Sequence, residues 1–293
     1  MGNGKETSCP GSEMIEVVCS LCGGDERDPV VADNGFQVVR CKRCKLVYVN
    51  PHPTEDALLD LYGEYHSRDG GDDDSWAMLM RNVFQESARI LDAMRNGKEA
   101  GRLLDVGCGF GDFVAEMRVR GWRAEGLDPS RRVIGVASGK GLPVRLGTLE
   151  SLDPTNGQYD AITLFYVLEH LPDPMEALRK AYDLLAPAGT LLVRVPDTTP
   201  IVRMLSPFGF GASLYDIPYH LYDFSPSVLR EMLLKAGFEK IRTFPGEPTR
   251  PSRTGPRVVA LLFGTLARVF YATSGGRFLF PGVSKTTIAR KPC

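Results

Sequence analysis

The sequence predicts an α/β protein: a doubly wound sheet of seven strands with an antiparallel last strand, preceded by a small module built on paired cysteines. Three observations carry this expectation. Strand-like and helix-like segments alternate from Arg102 onward, the pattern of a parallel sheet covered on both faces. A glycine-rich turn, Gly107-Cys-Gly-Phe-Gly111, follows directly on the strand-like run 103–106. Two Cys-x-x-Cys pairs, Cys19/Cys22 and Cys41/Cys44, lie well upstream of it.

In chain order, residues 14–50 hold the cysteine module, with β-prone runs at 16–18, 37–39 and 46–49 beside the two cysteine turns. Residues 51–101 read as a linker and lead-in helices. Pro51-His52-Pro53 breaks the chain and a short helix is expected over 55–61. A loop rich in Asp and Gly spans 68–74, and an amphipathic helix follows over 75–94, where Trp76, Leu79, Met80, Val83, Phe84 and Leu91 recur at helical spacing. Residues 102–293 form the main domain. Strands are expected at 103–106, 123–127, near Val144, at 160–165 and at 190–195, with helices at 112–120, 131–139 and 174–185. Ser225-Pro226 starts a helix that Gly237 stops, and strands at 239–244 and 285–290 complete the sheet. Insertions fall at about 198–220 and 245–284, the second with an apolar helix over 258–271.

The 35 basic and 36 acidic residues leave a net charge of −1, so no global field draws the chain to nucleic acid or anionic lipid. No apolar run approaches the roughly 20 residues of a membrane span. The first thirteen residues lack the apolar centre of an export signal, and a cytoplasmic location is expected.

Two Cys-x-x-Cys turns separated by 18 residues suit a tetrahedral, all-thiolate zinc ribbon. Cys19, Cys22, Cys41 and Cys44 are its candidate ligands. Two disulfides, or a doubled redox motif, fit less well in a chain without an export signal. Four thiolates leave no open position for substrate, so the Zn2+ is expected to be structural and to supply much of the stability of so small a module.

Glycines let a backbone lie directly against a ligand, and a loop entering a helix presents free N–H groups. The third glycine comes one place earlier than in the dinucleotide fingerprint, and Asp105 stands two residues before the first. An acid there suits a cationic amine and would repel a pyrophosphate. Asp128 ends the next strand 23 residues after Asp105, where a carboxylate can accept hydrogen bonds from both hydroxyls of a ribose. One amine and one ribose, without phosphate, describe S-adenosylmethionine.

Through DVGCGFG, GLDPS, YDAITLFYVLEHLPDP, LLAPAGTLLVRVP and LLKAGFE, the chain resembles the class I S-adenosylmethionine-dependent methyltransferases, whose domain is a Rossmann-like sheet. The resemblance implies that Gly107, Gly109 and Gly111 wrap the methionine part, that Asp105 stands near its amino group and that Asp128 holds the ribose. It further implies apolar cofactor contacts from Leu149 and Phe165. With the segment 46–65 (LVYVNPHPTEDALLDLYGEY), the chain is also similar to a narrower group of zinc-ribbon methyltransferases that includes sugar C-methyltransferases and natural-product enzymes. The expected reaction is therefore methyl transfer to a small molecule, with a sugar or glycoconjugate hydroxyl as acceptor. The competing readings are an RNA methyltransferase that uses the ribbon as reader and a noncatalytic cofactor-binding partner. Against the first, Asp25, Glu26, Asp28 and Asp33 offset the basic residues of the ribbon.

Methyl transfer from a sulfonium needs alignment first, and a base only where the nucleophile carries an inconvenient proton. His220, in IPYHLYDFS, and His170, in the Glu169-His170 pair, are the candidate catalytic residues. In sugar C-methyltransferases a histidine spaced like His220 is proposed as base, accompanied by a tyrosine three residues earlier; here Ile217 stands there, which argues against C-methylation. A packing role for His220 stays open. His66, with Tyr62 and Tyr65, is a further candidate from the ribbon side, and His52 reads as a loop residue. The apolar stretches 201–215 and 258–271 are expected to cover the acceptor or to form a homodimer contact, ahead of a shallow membrane contact.

Overall fold

The structure is a computed structural model, which describes residues 14–33, 35–54, 57–58, 73–95, 101–154, 158–205 and 212–293. His66, Tyr62, Tyr65, Cys9 and most of the helix and loop expected at 55–61 and 68–74 lie outside the described residues.

The chain opens on β1 (Met14–Ile15), β2 (Arg27–Asp33), β3 (Phe36–Cys41), β4 (Val47–Val49) and β5 (His52–Pro53). Helix α1 (Asp73–Met94) leads into β6 (Arg102–Val106), α2 (Asp112–Val119), β7 (Arg123–Asp128), α3 (Arg131–Gly139), β8 (Val144–Leu146), β9 (Tyr159–Phe165), α4 (Pro174–Leu184) and β10 (Leu185–Val195). Then come α5 (Thr199–Leu205), β11 (Tyr222–Asp223), α6 (Pro226–Lys235), β12 (Glu239–Phe244), α7 (Thr254–Thr273) and β13 (Lys285–Arg290).

The main sheet has seven strands in the order β12-β13-β10-β9-β6-β7-β8. Neighbours from β10 to β8 are parallel, and β13 is antiparallel to both β10 and β12, as the alternation predicts. Period-two side-chain alternation divides each strand between two cores. Leu104, Val106, Ile162, Leu164, Leu191 and Val193 join α4 and α6 on one face. Leu103, Ala161, Phe165 and Leu192 meet α1 and α2 on the other, where the rings of Phe84, Phe113 and Phe165 lie 4.8–5.3 Å apart. Asp173 caps α4 by accepting from the amides of Met175 and Glu176, and Ser225 caps α6 through the amide of Val228, each with proline at the first helical position.

The cysteine module departs from expectation in three ways. Residues 27–33 form a strand that the sequence hides: Pro29 sits at a register shift on the edge of the sheet, where a missing N–H costs nothing. Residues 17–18, though β-prone, pair with no strand among the described residues. The module is also not closed on itself. Tyr222 and Asp223 of β11 pair with Tyr48 and Val47, so the main domain supplies the fourth strand of the module's sheet. Cys19, Leu21, Cys41, Leu46 and Tyr48 share one apolar cluster with α4 and α6. His52, expected in a loop, is 2% exposed with its ring edge-on to Tyr222, and burial pushes its pKa down to about 4.

Buried charge ties the insertion to the sheet. Arg194 donates to the hydroxyls of Tyr166 and Thr286 and to the carbonyl of Glu247. Lys285 pairs with Asp197 at 2.7 Å, both nearly fully buried. A lone partner left in such a pair is costly, which fixes the register of β13 against β10.

Candidate active site and metal centre

The strand order reverses at β6, the first strand of the alternating series, which has β7 on one side and β9 on the other. The carboxyl edge at such a switch point is where open α/β sheets bind ligands. The glycine turn leaves β6 there. Gly107, Gly109 and Gly111 all take positive φ (67°, 52° and 81°), which a side chain would strain. Gly107 also passes so close to the next loop that a Cβ would fall 2.4 Å from Val167 Cγ2.

A loop entering a helix is expected to offer free N–H groups, but here four are already engaged, that of Gly111 by the Cys108 carbonyl at 2.9 Å. The amides of Gly107 and Cys108 donate to the Leu127 carbonyl, and Gly109 donates to Asp128 Oδ2 at 3.0 Å. The glycines serve backbone shape and close approach instead, and among the described residues nothing lies within 4 Å of the position a Gly109 Cβ would occupy.

Asp105 is buried, and the Thr163 hydroxyl donates to it at 2.6 Å. Burial pushes its pKa up to about 7, the Thr163 hydrogen bond opposing and the Asp128 charge adding to the rise. A buried acid of that kind, beside a second carboxylate, calls for a cation. Asp128 is clamped by the amides of Gly109 and Ser130, one to each oxygen, which leaves further acceptor capacity on both. Leu149 is buried in a short 3-10 turn after β8. Phe165 packs into the core between Phe84 and Phe113. Tyr166, the next residue, is half-buried at the strand end with φ 57°, its hydroxyl held by Arg194. Sequence reasoning gave no signal for Thr163 or Arg194, because their roles depend on which strands become neighbours.

The histidines meet. His170 and His220, 50 residues apart in the chain, stand edge to face with ring centroids 4.7 Å apart. Backbone bonds bring them together: Leu221 donates to the Glu169 carbonyl at 2.8 Å, and His170 Nδ1 lies 2.8 Å from the Tyr219 carbonyl. One nitrogen from each ring and a Glu169 carboxylate oxygen lie within 4.8 Å of one another. Glu169 is fully buried and neither carboxylate oxygen has a hydrogen-bond partner among the described residues. Burial lifts its pKa to about 8 and lowers that of His220 to about 4.

The four cysteines also converge. The sulfurs of Cys19 and Cys44 are 3.3 Å apart and those of Cys22 and Cys41 3.5 Å apart, with the whole set within 4.8 Å. A tetrahedron of thiolates at the usual zinc–sulfur length has edges of about 3.8 Å. The donor set is thus consistent with a structural Zn2+. Each knuckle closes on a left-handed residue, Gly23 after Cys22 and Lys45 after Cys44 (φ 67° and 68°).

Sheet order, glycine turn and paired acids define a class I S-adenosylmethionine-dependent methyltransferase. The chain belongs to the methyltransferase-domain family, which matches residues 79–243. It is 32% identical over 163 residues to a ubiquinone biosynthesis O-methyltransferase of Marinobacter nauticus, covering 51% of this chain and 68% of that one. A Pseudomonas aeruginosa protein of the same name is 30% identical over 156 residues, 50% of this chain and 67% of its own. Among solved structures, the plantazolicin methyltransferase BpumL in complex with SAH superposes with a TM-score of 0.56 at 16% identity, over 80% of this chain and 94% of that one. Phosphoethanolamine N-methyltransferase 2 of Haemonchus contortus, in complex with S-adenosylmethionine, gives 0.53 at 16% identity over 91% and 71%. At these identities the two structures speak for the shared fold. The enzyme uses S-adenosylmethionine.

Proposed function

We propose that the chain transfers the methyl group to a hydroxyl of a small molecule, with a sugar or glycoconjugate as acceptor. The observation that carries the reading is the His170–His220 pair, set beside the loop that presses Val167 against Gly107. In this reading Asp105 faces the amino group of the cofactor, Asp128 accepts from the ribose, and Leu149 adds an apolar contact. Gly109, the open point of the turn, lets the methionine part approach.

Burial keeps the His220 imidazole neutral over the physiological range, so it can take the acceptor proton. The O–H bond breaks toward His220, the O–CH3 bond forms and the S–CH3 bond breaks. Positive charge moves from the sulfonium to the imidazole as the cofactor becomes a neutral thioether. Glu169, which burial keeps mainly protonated below about pH 8, lies where the carbonyl oxygen of its carboxyl group would accept from that imidazolium. His170, anchored at the Tyr219 carbonyl, orients its partner. The names of the curated relatives support O-methylation, while the likeness of the cysteine module and of 46–65 to sugar-modifying enzymes supports the acceptor class. The test is incubation with methyl-labelled cofactor and nucleotide sugars, glycans, or acceptors of ubiquinone biosynthesis. Label should enter an O-methyl product; cofactor binding with no transfer to any hydroxyl acceptor would sink the proposal.

Asp105 gives a second, independent expectation. Its pKa is raised in the folded protein, so without ligand its contribution to stability is greatest below the ordinary carboxylate range and is lost as pH rises toward 7. A bound ammonium reverses that preference, so protons compete with cofactor. Calorimetry with S-adenosylhomocysteine should therefore show a Kd about ten-fold weaker at pH 6 than at pH 8. Asp105→Asn should remove the pH dependence and weaken binding at pH 8. A flat wild-type profile would exclude this role for Asp105.

A further inference from the structure

Residues 258–271, expected to cover the acceptor or to form a homodimer contact, lie in α7, which presents its apolar side outward. Val258 and Leu262 are 58% and 57% exposed, and Phe263, Leu266, Val269 and Phe270 are also exposed. At the helical 100° per residue these six fall within an arc of about 140°. The opposite stripe is seated on the domain. A Cβ on Gly264 would meet Pro248 at 2.7 Å, Ala267 is fully buried, Tyr271 accepts from Arg242, and Arg268 pairs with Glu247. The helix has the length and mean hydropathy, 1.2, of a membrane span, yet only 11% of that window is buried. Crossing a bilayer would strip the seated stripe from the protein, so the helix lies along the domain.

Charge selects the occupant. Residues 248–284 hold five arginines, Arg250, Arg253, Arg257, Arg268 and Arg277, with no Asp, Glu or Lys, in a chain whose net charge is −1. Arg253, Arg257 and Arg277 are exposed and have no carboxylate partner among the described residues. Two copies meeting through this segment would oppose arginines with arginines, which is unfavourable across an interface. An anionic lipid surface supplies both the missing negative charge and an apolar layer. Phe270, Phe278 and Phe280 stack near the end of the helix, with centroids 5.9–6.4 Å apart, and aromatic rings are favoured at the membrane–water boundary.

We propose that residues 253–280 are an interfacial docking element that holds this enzyme on an anionic membrane surface. Its position gives the docking a purpose. β12 runs parallel to β10, so the insertion leaves from the carboxyl edge of the sheet, the edge that carries the glycine turn. It returns beside α5, where Gly282 packs on Ile201. Docking therefore turns the acceptor edge toward the bilayer, which selects an acceptor with a lipid anchor; that last step rests on the acceptor site proposed above.

The test is flotation of the full, metal-loaded chain with vesicles of phosphatidylcholine alone or mixed with phosphatidylglycerol. Binding to the mixed vesicles should be at least about ten-fold stronger and should fall with salt. Leu262→Gln with Leu266→Gln, and separately Arg253→Glu with Arg257→Glu, should each reduce it about ten-fold or more. S-adenosylhomocysteine affinity in solution should stay unchanged in both variants, so loss of docking and loss of the cofactor site read out separately. Absence of flotation, equal binding to both vesicle types, or a dimer in light scattering that Leu262→Gln with Leu266→Gln dissolves while vesicles go unbound would each overturn the proposal.

Discussion

Stripping the metal from the cysteine module is expected to unfold residues 14–53 and to lower the melting temperature of the whole chain. Structural zinc contributes on the order of 10 kcal/mol to small metal-folded modules at neutral pH, and this module has little core of its own. Cys19 and Cys41 are nearly fully buried in the cluster that also holds Leu178, Leu229 and Met232 of the main domain. Lys235 reaches the Leu21 carbonyl, and Ser20 donates to the helix-capping Asp173 at 2.7 Å. Loosening the knuckles therefore exposes apolar surface of α4 and α6 and frees the partner of β11. Calorimetric scans before and after chelation, with thiols kept reduced and metal weighed by mass spectrometry, should show a lower and broader transition. Cys41→Ser should reproduce it. If the metal-free, reduced chain melts where the loaded chain does, the four thiolates hold nothing structural.

Much of this architecture is legible in the sequence because its signals are local. The run 103–106, the glycine turn and the proline-started helices α4 and α6 each follow from a few neighbouring residues, and the strands at 239–244 and 285–290 fall where expected. What escapes is non-local. β2 carries a proline and charged ends, so its strand character comes only from pairing with β3. β11 is two residues long, and nothing in Tyr222-Asp223 announces that it completes a sheet begun at Arg27. β10 starts at Leu185, five residues before the strand expected at 190–195, because a register irregularity absorbs residues 186–189.

The site divides in the same way. Asp105 and Asp128 stand where strand ends must place them, and the cysteine spacing brings four sulfurs together. The engaged amides of the glycine turn were hidden, since they depend on Leu127 and Asp128 from the neighbouring strand. The Arg194 bridge to Tyr166 and Thr286 spans 92 residues to its farther partner, and no periodicity encodes it. Phe165 illustrates the remaining gap: position along the chain gives its depth, but only the packing of α1 shows which rings surround it.

Replacing His220 by Gln is expected to lower kcat by about 10²–10⁴-fold, the usual contribution of a positioned base, with the Kd for S-adenosylhomocysteine unchanged within about two-fold. His220 N donates to the Asp216 carbonyl and Leu221 is tied to Glu169, so the backbone of this turn does not depend on the imidazole. Glutamine keeps polarity and approximate size but cannot take a proton. His170→Gln should cost less, because that ring is held at the Tyr219 carbonyl and acts through its neighbour. The pH profile separates the two acids from the base. With His220 neutral down to about pH 4 and Glu169 titrating near 8, kcat at saturating cofactor should be level from pH 7 to pH 6, while the KM for cofactor rises over the same interval through Asp105. A kcat for His220→Gln within about three-fold of wild type would make the imidazole a packing residue, and the search for the proton acceptor would move to Tyr166 and Glu169.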